Sequence, residues 1–379
     1  MPLISMVRFI TALLSFVLLG FIAYLLWSWY QGATVRDSAG VVHFVREDWR
    51  LWTSLALIAF SLLGKFLVVP LVAKPDNGEP TRAVRGNGRT IPGSAGASLY
   101  VEEHGPSGAP IIVFTHGWAL DSTIWSYVKR DFGSRFRLIL WDLPGLGRSK
   151  ASTGEAINLE AFAADLRTVI TLAGGAPVVL VGHSIGGMTI QTLARNNPEL
   201  FGREIAGVVL VNTTYTNPLK TMILSGLAQA LRFPLIEPVM RLTILLQPLA
   251  WLSAWQSYLN GTSHLANRIG FGTHVTRSQL EHVTLLATRN SPANIQRGNL
   301  AMFRWDATTA LSGLPVPVLV LGGVLDIVTK PEASTVIDGE ASQSRLQLIE
   351  GANHMGFLER PDVYNARIAE FVDQVSGSV

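Results

Sequence analysis

The stretch that decides the fold is Gly182-His183-Ser184-Ile185-Gly186. It matches the pattern Gly-x-Ser-x-Gly, and it stands between an apolar, β-branched run at 178–181 and a helical pattern that begins at Ile185. A turn this tight needs small residues on both sides of the serine, because two backbone segments approach each other closely there. The order strand, turn, helix therefore favours a nucleophilic Ser184 lifted above the sheet edge over a purely structural glycine-rich turn.

Outward from this motif, short apolar runs alternate with helical patterns. Such alternation predicts a mainly parallel sheet covered by helices, and continuous apolar runs such as 111–114 suit strands buried on both faces. The predicted strands are 99–103, 111–115, 138–142, 178–182, 208–212, 316–322 and 345–349. The clearest predicted helices are 159–172, 185–196 and 361–375.

One interval breaks the alternation. Residues 213–310 show helical patterning without a convincing strand, and they lie between two predicted strands, so they indicate a helical cap inserted into the core. The core is then expected to comprise 98–212 and 311–379. Residues 74–97 are rich in Pro, Gly and Arg and are interpreted as a linker.

The N-terminal region, 1–73, contains two apolar runs, at 7–29 and 51–72, and no charge falls between Arg8 and Arg36. Each run reaches the about 20 residues that cross a bilayer, and tryptophans at the run ends suit an interfacial belt. We therefore predict a transmembrane hairpin of two helices in an integral membrane protein; a cleaved signal peptide and buried core helices are disfavoured. Lys65, inside the second run, is expected to snorkel towards the interface rather than face a partner helix.

The basic residues around the hairpin indicate its orientation. Two spans place both ends of the hairpin on one side of the membrane, and the side richer in Lys and Arg is usually cytoplasmic. A cytoplasmic catalytic domain is therefore expected. The flanks carry Arg8, Lys74, Arg82, Arg85 and Arg89, and the connecting loop carries Arg36, Arg46 and Arg50.

The composition narrows the chemistry. The chain of 379 residues has no cysteine, which excludes disulfides, thiolate metal sites and a cysteine nucleophile. Charged residues make up 15% and the mean hydropathy is +0.32, which indicates membrane segments. The net charge of +3, without a long Lys/Arg run, gives little support to nucleic-acid binding.

A second motif, His116-Gly117-Trp118, directly follows the predicted strand 111–115. An oxyanion hole needs two backbone N–H groups that converge on one point, and the pair expected here is that of Trp118 and Ile185. His116 is interpreted as a structural residue, hydrogen-bonded beneath the loop, rather than as the catalytic base.

Together these motifs resemble the α/β-hydrolase superfamily, and specifically its cap-bearing esterase, lipase and perhydrolase-like branch. The resemblance covers roughly 99–375 and implies the α/β-hydrolase fold and a Ser–Asp–His triad in that chain order. The motifs that carry it are His116-Gly117-Trp118, Asp142-Leu143-Pro144-Gly145-Leu146-Gly147-Arg148-Ser149, the Ser184 turn, Gly322-Gly323-Val324-Leu325-Asp326 and Gly351-Ala352-Asn353-His354.

In the family the acid follows a late strand and the base follows the last one, which implies Asp326 as the acid and His354 as the base. Some relatives place the acid one strand earlier, but Asn212 stands there and cannot carry the charge. Asp142 belongs to a loop that is structural in the family and receives no catalytic role. The glycines of this loop are not a dinucleotide-binding fingerprint, because the pattern G-x-G-x-x-G is missing after the first strand.

These residues predict acyl transfer through an acyl-enzyme on Ser184, without cofactor or metal. His264, His274 and His282 lack metal-site spacing. The predicted cap is dense in Leu, Ile, Trp and Met, which either pack as its own core or in part face lipid. Apolar pocket walls suit an apolar substrate, so we predict a lipophilic ester, either a small molecule or a lipid. C–C bond hydrolysis, perhydrolysis, a non-catalytic binding protein and a membrane scaffold remain as alternatives; Ser184 disfavours the aspartate-dependent epoxide hydrolases and dehalogenases.

Overall fold

The computed structural model describes residues 2–78, 80–82, 84–154 and 156–377. The N-terminal elements are α1 (Pro2–Gln31), β1 (Ala33–Arg36), β2 (Val42–Val45), α2 (Asp48–Leu63) and α3 (Lys65–Val72). The remaining strands are β3 (Gly88–Pro92), β4 (Ser98–His104), β5 (Ile111–Thr115), β6 (Arg137–Trp141), β7 (Val178–His183), β8 (Ile205–Val211), β9 (Val318–Gly323) and β10 (Ser344–Ile349). The remaining helices are α4 (Ser126–Phe132), α5 (Leu159–Ile170), α6 (Ile185–Asn196), α7 (Pro218–Thr221), α8 (Ser225–Ala230), α9 (Glu237–Leu245), α10 (Gln247–Leu259), α11 (Thr262–Arg268), α12 (Arg277–Arg289), α13 (Pro292–Met302), α14 (Pro331–Glu340), α15 (Gly356–Glu359) and α16 (Pro361–Ser376).

An eight-stranded sheet in the order β10-β9-β8-β7-β5-β6-β4-β3 forms the centre of the molecule. Its pairs are parallel except that β4 runs antiparallel to both β3 and β6. The predicted mainly parallel sheet is confirmed, and the largest boundary difference is at β8, which begins at Ile205 rather than at 208. Parallel strands share one carboxyl edge, so the loops after β5, β7, β9 and β10 all emerge on the same side.

Both faces of the sheet are buried, as the continuous apolar strands require. On one face Phe162 and Leu166 of α5 pack with Leu193 of α6. On the other face Trp125 and Tyr364 belong to a second apolar cluster, which includes residues of α4 and α16. The two layers fix the sheet rigidly and thereby fix the positions at its carboxyl edge.

The interval predicted as a linker is different in the structure. Residues 88–92 form β3, an edge strand that pairs with β4 from Gly88↔Glu102 to Pro92↔Ser98. Upstream, Lys74 N donates to Val275 O at 3.0 Å, and Asp76 accepts a 2.5 Å hydrogen bond from Ser278 Oγ. The described part of 74–97 is therefore docked onto the cap and the sheet. Its Gly and Pro content is that of an edge strand and turns, which composition alone cannot distinguish from a linker.

The N-terminal region contains one helix that could cross a membrane by itself, among the residues described. Phe9–Gln31 of α1 is 23 residues long and contains an 18-residue window with a mean hydropathy of 2.5. The second predicted span is broken: α2 and α3 meet at an angle of 59° after Leu63. The prediction of two regular transmembrane helices is thus not supported, because α3 turns away and packs against α11 and α12 of the cap. If α2 and α3 are counted together as one broken span, they are long and apolar enough to cross a membrane. The same holds for the bent α9–α10 pair.

Lys65, the first residue of α3, is paired with the cap. Its Nζ lies 2.8 Å from Glu281 Oε1 and donates to the Tyr258 hydroxyl at 2.9 Å, and His264 Nε2 lies 2.6 Å from Glu281 Oε2. The expectation that Lys65 snorkels is therefore wrong, since the ammonium group is paired with a carboxylate of the cap. Burial would raise the pKa of Glu281, but hydrogen bonds from His264, Lys65 and Tyr258 outweigh it and lower that pKa to about 2.

We expect Lys65→Met to lower the free energy of unfolding by about 1–3 kcal/mol, because it leaves a half-buried carboxylate without its cation. The figure is discounted for solvent screening, since the side chains of Lys65 and Glu281 are 17% and 34% exposed. Chemical unfolding of the detergent-solubilised chain measures it. The matched control is Lys330→Met, which removes an exposed ion pair with Glu332 and should change stability by less than about 0.5 kcal/mol.

The same pair predicts a pH dependence. Because the folded-state pKa of Glu281 is depressed to about 2, its contribution is present above the unfolded value of about 4.3 and is lost as the pH falls through the interval between them. The stability difference between the native chain and Lys65→Met should shrink in that interval. A difference that stayed constant from neutral pH to pH ~2 would show that the ion pair does not connect α3 to the cap.

Candidate active site

Ser184 occupies the turn between β7 and α6. Its backbone has φ 55° and ψ −117°, a conformation that costs on the order of 1–3 kcal/mol for a residue with a side chain. The surrounding strands hold it there: Ser184 N donates to Val211 O at 3.0 Å, and Thr213 Oγ1 donates to Ser184 O at 2.6 Å. The strain is thus built into the turn, as the sequence motif predicts for an elevated serine.

The glycines beside Ser184 allow this turn to close. A Cβ on Gly182 would lie 2.5 Å from the carbonyl carbon of Gly186, and one on Gly186 would lie 2.3 Å from Thr115 O. Real Cβ contacts are not that short, so β7, α6 and the end of β5 can approach only without side chains at these positions.

His354 and Asp326 meet at the same edge of the sheet. His354 Nδ1 lies 2.9 Å from Asp326 Oδ2, and both side chains are almost fully buried. Among the described residues Nε2 of His354 has no hydrogen-bond partner, Ser184 included. The carboxylate therefore holds the proton on Nδ1 and leaves Nε2 free to act as a base. His183, next to Ser184, donates from Nε2 to His354 O at 3.0 Å and so ties the two loops together.

Four donors surround the Asp326 carboxylate besides His354. Oδ1 accepts from the N–H groups of Val328 and Thr329 at 2.8 and 2.9 Å, and Oδ2 accepts from Thr329 Oγ1 at 2.8 Å and from Asn212 Nδ2 at 3.0 Å. Burial would raise the pKa of Asp326, but the charge of protonated His354, its hydrogen bond and these donors outweigh it and lower the pKa below its ordinary range. Asp326 therefore stays ionised at neutral pH.

Asn212 has a role that the sequence interpretation missed. That interpretation treated position 212 only as an alternative place for the acid, whereas the amide donates to the acid and also to Asn353 O at 3.3 Å. Tyr364 of α16 in turn donates to Asn212 Oδ1 at 3.0 Å. An amide at the end of β8, adjacent to the strand that carries the acid, is the signal that could have indicated this contact.

His183 is a buried, neutral side chain. Complete burial, together with the charge of His354 when protonated, lowers its pKa well below the ordinary value. Its ring packs 4.9 Å from that of His354 and 4.6 Å from that of Phe357, measured between centroids. The residue thus supports the histidine loop from below and is not a second base.

The two N–H groups predicted to hold an oxyanion lie at the ends of different elements. Ile185 is the first residue of α6, so its N–H has no acceptor within the helix and the helix dipole favours an anion there. Trp118 lies just after β5, where its indole donates to Ile295 O at 3.0 Å and orients the loop. Asn290 also holds this loop, donating from Nδ2 to Ala119 O at 3.0 Å.

The two residues interpreted as structural have structural contacts. His116 donates from Nδ1 to Gly117 O at 2.8 Å and accepts from Leu143 N at 3.0 Å, and burial lowers its pKa. Asp142 accepts from Ser122 N at 2.7 Å and lies 3.0 Å from the Arg85 guanidinium. These contacts fix the loops around the site and leave neither side chain available for proton transfer.

The three cap histidines have separate environments. His264 pairs with Glu281, His274 Nδ1 lies 3.0 Å from Thr273 Oγ1, and His282 Nε2 lies 3.0 Å from Thr123 Oγ1. Within the ranges described, no group of three or more His, Asp or Glu side chains is arranged to hold a metal ion.

The sequence from residue 112 to 367 matches the family described as the alpha/beta hydrolase family. This chain belongs to the α/β-hydrolase family. The match covers the sheet from β5 onwards, the cap and the candidate site, whereas α1 to β4 precede it. The family membership agrees with the predicted fold and with a hydrolase that acts on ester bonds.

Known relatives and structures resemble the hydrolase over most of their own length. A pimeloyl-[acyl-carrier protein] methyl ester esterase of Sodalis glossinidius is 29% identical over 273 residues, which are 69% of this chain and 92% of the relative. An esterase from Exiguobacterium antarcticum superposes with a TM-score of 0.61 at 20% identity, covering 76% of this chain and 99% of the other. A putative aryl esterase from Burkholderia cenocepacia gives 0.60 at 23% identity, with 77% and 100% covered. At these identities the structures show the shared fold.

The nucleophile and the oxyanion loop of the hydrolase are buried, and the cap is attached to the loop of the acid. Ser184 is only 6% exposed and Trp118 only 2%. The beginning of the cap is joined to the loop of the acid, because Ile223 N donates to Ile327 O at 2.9 Å and Lys330 N donates to Thr221 O at 3.0 Å.

We expect Thr329→Val to lower the kcat of ester hydrolysis by roughly 10–100-fold, because a lost hydrogen bond to a charged group costs about 1.5–3 kcal/mol. The substitution keeps the shape of the side chain and removes the Oγ1 hydroxyl, which donates to Asp326 and lies 3.2 Å from His354 Nδ1. Steady-state kinetics measure the effect, with Thr335→Val on exposed α14 as the matched control. An unchanged kcat would show that the Asp326 orientation does not depend on this hydroxyl.

Proposed function

We propose that this chain is a membrane-anchored serine hydrolase that cleaves lipophilic carboxylic esters, with Ser184, His354 and Asp326 as its catalytic triad. The observation that carries the proposal is the buried Asp326–His354 pair, in which Nε2 of His354 has no hydrogen-bond partner among the described residues. His183, next to Ser184, donates to His354 O and so connects the histidine loop to the Ser184 turn. The name of the curated relative adds that a similar chain acts on a methyl ester of an acyl group.

The reaction follows from these positions. His354 Nε2 removes the proton of the Ser184 hydroxyl as its oxygen attacks the ester carbonyl carbon, and Asp326 stabilises the imidazolium through Nδ1–H. The N–H groups of Trp118 and Ile185 donate to the oxyanion. The imidazolium returns the proton to the leaving alcohol, which breaks the C–O bond and leaves an acyl-enzyme. A water molecule, deprotonated by His354, then releases the acid.

Attachment to a membrane through α1 is supported by its length and apolar surface. Phe21, Tyr24 and Trp27 on this helix are each about half or more exposed, which is costly in water and favourable in lipid. Arg46 lies over the rings of Trp29 and Tyr30, at 5.1 and 5.8 Å, where an interfacial belt is expected. With α1 as the single span, Arg36, Arg46 and Arg50 lie on the same side of the membrane as the catalytic part, which is therefore proposed to be cytoplasmic.

Fluorophosphonate labelling tests the nucleophile. We expect the detergent-solubilised native chain to be labelled and to hydrolyse p-nitrophenyl esters, and Ser184→Ala to lose both properties, because only an activated serine reacts. Ser152→Ala, at an exposed position, is the matched control and should behave as the native chain. Labelling without turnover would favour a binding protein on the same fold, whereas turnover of C–C or peracid substrates alone would favour those reactions.

Below neutral pH, the dependence of kcat/KM on pH should reflect the protonation of a single group. Since the pKa of Asp326 lies below its ordinary range, Asp326 remains ionised where the imidazole becomes protonated, so kcat/KM should fall with unit slope on acidification. Asp326→Asn should lower kcat by roughly 10⁴-fold, because the amide no longer selects the required tautomer. Asp362→Asn, an exposed carboxylate, should leave both quantities unchanged. A profile that is flat between pH ~5 and ~8 contradicts His354 as the base.

A chain-length series tests the lipophilic substrate. We expect kcat/KM to rise by about tenfold or more from p-nitrophenyl acetate to octanoate, because apolar pocket walls discriminate between chain lengths. The acetate value of the native chain serves as the internal reference. A tenfold preference for acetate would rule out the lipophilic substrate while leaving the esterase activity intact.

A further inference from the structure

A groove of about 230 Å³ lies between α1 and the cap, away from the residues of the triad. We call it the α1–cap groove. Phe9, Leu13 and Phe16 of α1 form one wall, Leu246 and Ala250 belong to the opposite wall, and Ile295 of α13 belongs to the floor. Most of the lining residues are apolar and none of them is charged, so the groove suits hydrocarbon.

The mouth of the groove is apolar as well. Leu13 is 50% exposed and Leu249 53%, and Leu245, at the end of the preceding helix α9, is 76% exposed. No Asp, Glu, Lys or Arg lies between Arg241 and Arg268, which parallels the charge-free stretch of α1. A continuous apolar surface of this kind, with a candidate transmembrane helix as one of its walls, is expected to contact a bilayer rather than water.

One polar group inside the groove lacks a partner. Ser263 lines the groove, is 1% exposed, and among the described residues its Oγ has no hydrogen-bond partner. Burying a hydroxyl without a partner is costly, and the carbonyl oxygen of an acyl ester would accept a hydrogen bond from it. The groove thus offers apolar walls for a chain and one donor for an ester group.

We propose that the α1–cap groove binds one acyl chain of a membrane lipid, which enters it from the hydrocarbon layer beside α1. This rests on the membrane attachment in the proposed function and adds a site that is separate from the triad. The lipid fills the space between α1 and the cap.

The floor of the groove reaches the oxyanion loop. Ile295 presents its side chain to the groove, and its carbonyl accepts the indole N–H of Trp118. One turn further, a Cβ on Gly298 would lie 2.0 Å from the Trp118 ring, so α13 and that ring are in direct contact. An occupied groove therefore contacts α13, the helix that holds the Trp118 ring.

Photocrosslinking tests this site directly. The full chain carrying Ser184→Ala, which prevents turnover, is reconstituted in phosphatidylcholine vesicles that contain a trace of phosphatidylcholine with a diazirine in one acyl chain. After illumination, mass spectrometry locates the labelled residues. We expect labelling of Leu13 and Leu246 in the groove, in addition to Tyr24 on the exposed face of α1, and only the groove labelling should saturate with the amount of probe.

Filling the groove provides the matched comparison. Ala250→Trp should reduce labelling of Leu246 at least fivefold and leave Tyr24 unchanged, whereas Ala23→Trp on the exposed face of α1 should leave Leu246 labelled. Leu13→Trp fills the groove from the other wall and should act as Ala250→Trp does. Fluorophosphonate labelling of the same variants with Ser184 restored shows that each is folded.

The outcomes separate the two proposals. Two results would overturn the lipid site and leave the membrane anchor standing. One is labelling of Tyr24 without any labelling in the groove. The other is labelling of Leu246 that persists in both Ala250→Trp and Leu13→Trp. Absence of label at both Tyr24 and the groove overturns the anchor and the site together. The hydrolase activity is measured separately and is unaffected by either result.

Discussion

The buried carboxylate of Asp326 is the constraint on which the site depends. A charge that is removed from water must be satisfied by donors, and here they come from its own loop, from β8 through Asn212 and from the histidine loop. To supply them, three adjacent strand ends must lie in register. The parallel sheet provides that register, and the apolar layers on its two faces keep it.

The sequence predicted the parts of the molecule in which one strong local signal determines the structure. Seven apolar runs became strands, and the Ser184 turn lies between β7 and α6 as its glycines require. Asp326 and His354 could be chosen because their chain order is that of a known family, and the structure brings them to 2.9 Å of each other. Their catalytic roles remain a proposal.

What the sequence could not predict depends on contacts between distant residues. Lys65 and Glu281 are separated by 216 positions, so an apolar run containing one lysine resembled a membrane span although its lysine pairs with the cap. Residues 88–92 have the composition of a loop, and only their pairing with β4 makes them a strand. Asn212 acts through Asp326, 114 positions later. Local periodicity contains no information about such partners.

The attachment of Lys74 to the cap has a kinetic consequence. Lys74 lies two residues after the end of α3, and its backbone is hydrogen-bonded to Val275 and Arg277 of the cap. No flexible linker therefore separates α3 from the catalytic part. With α1 in a bilayer, as proposed above, the catalytic part does not sample the surrounding solution at the end of a tether. Its turnover would follow the mole fraction of ester in the lipid surface, so that adding inert lipid would slow it by surface dilution even when the bulk ester concentration is unchanged.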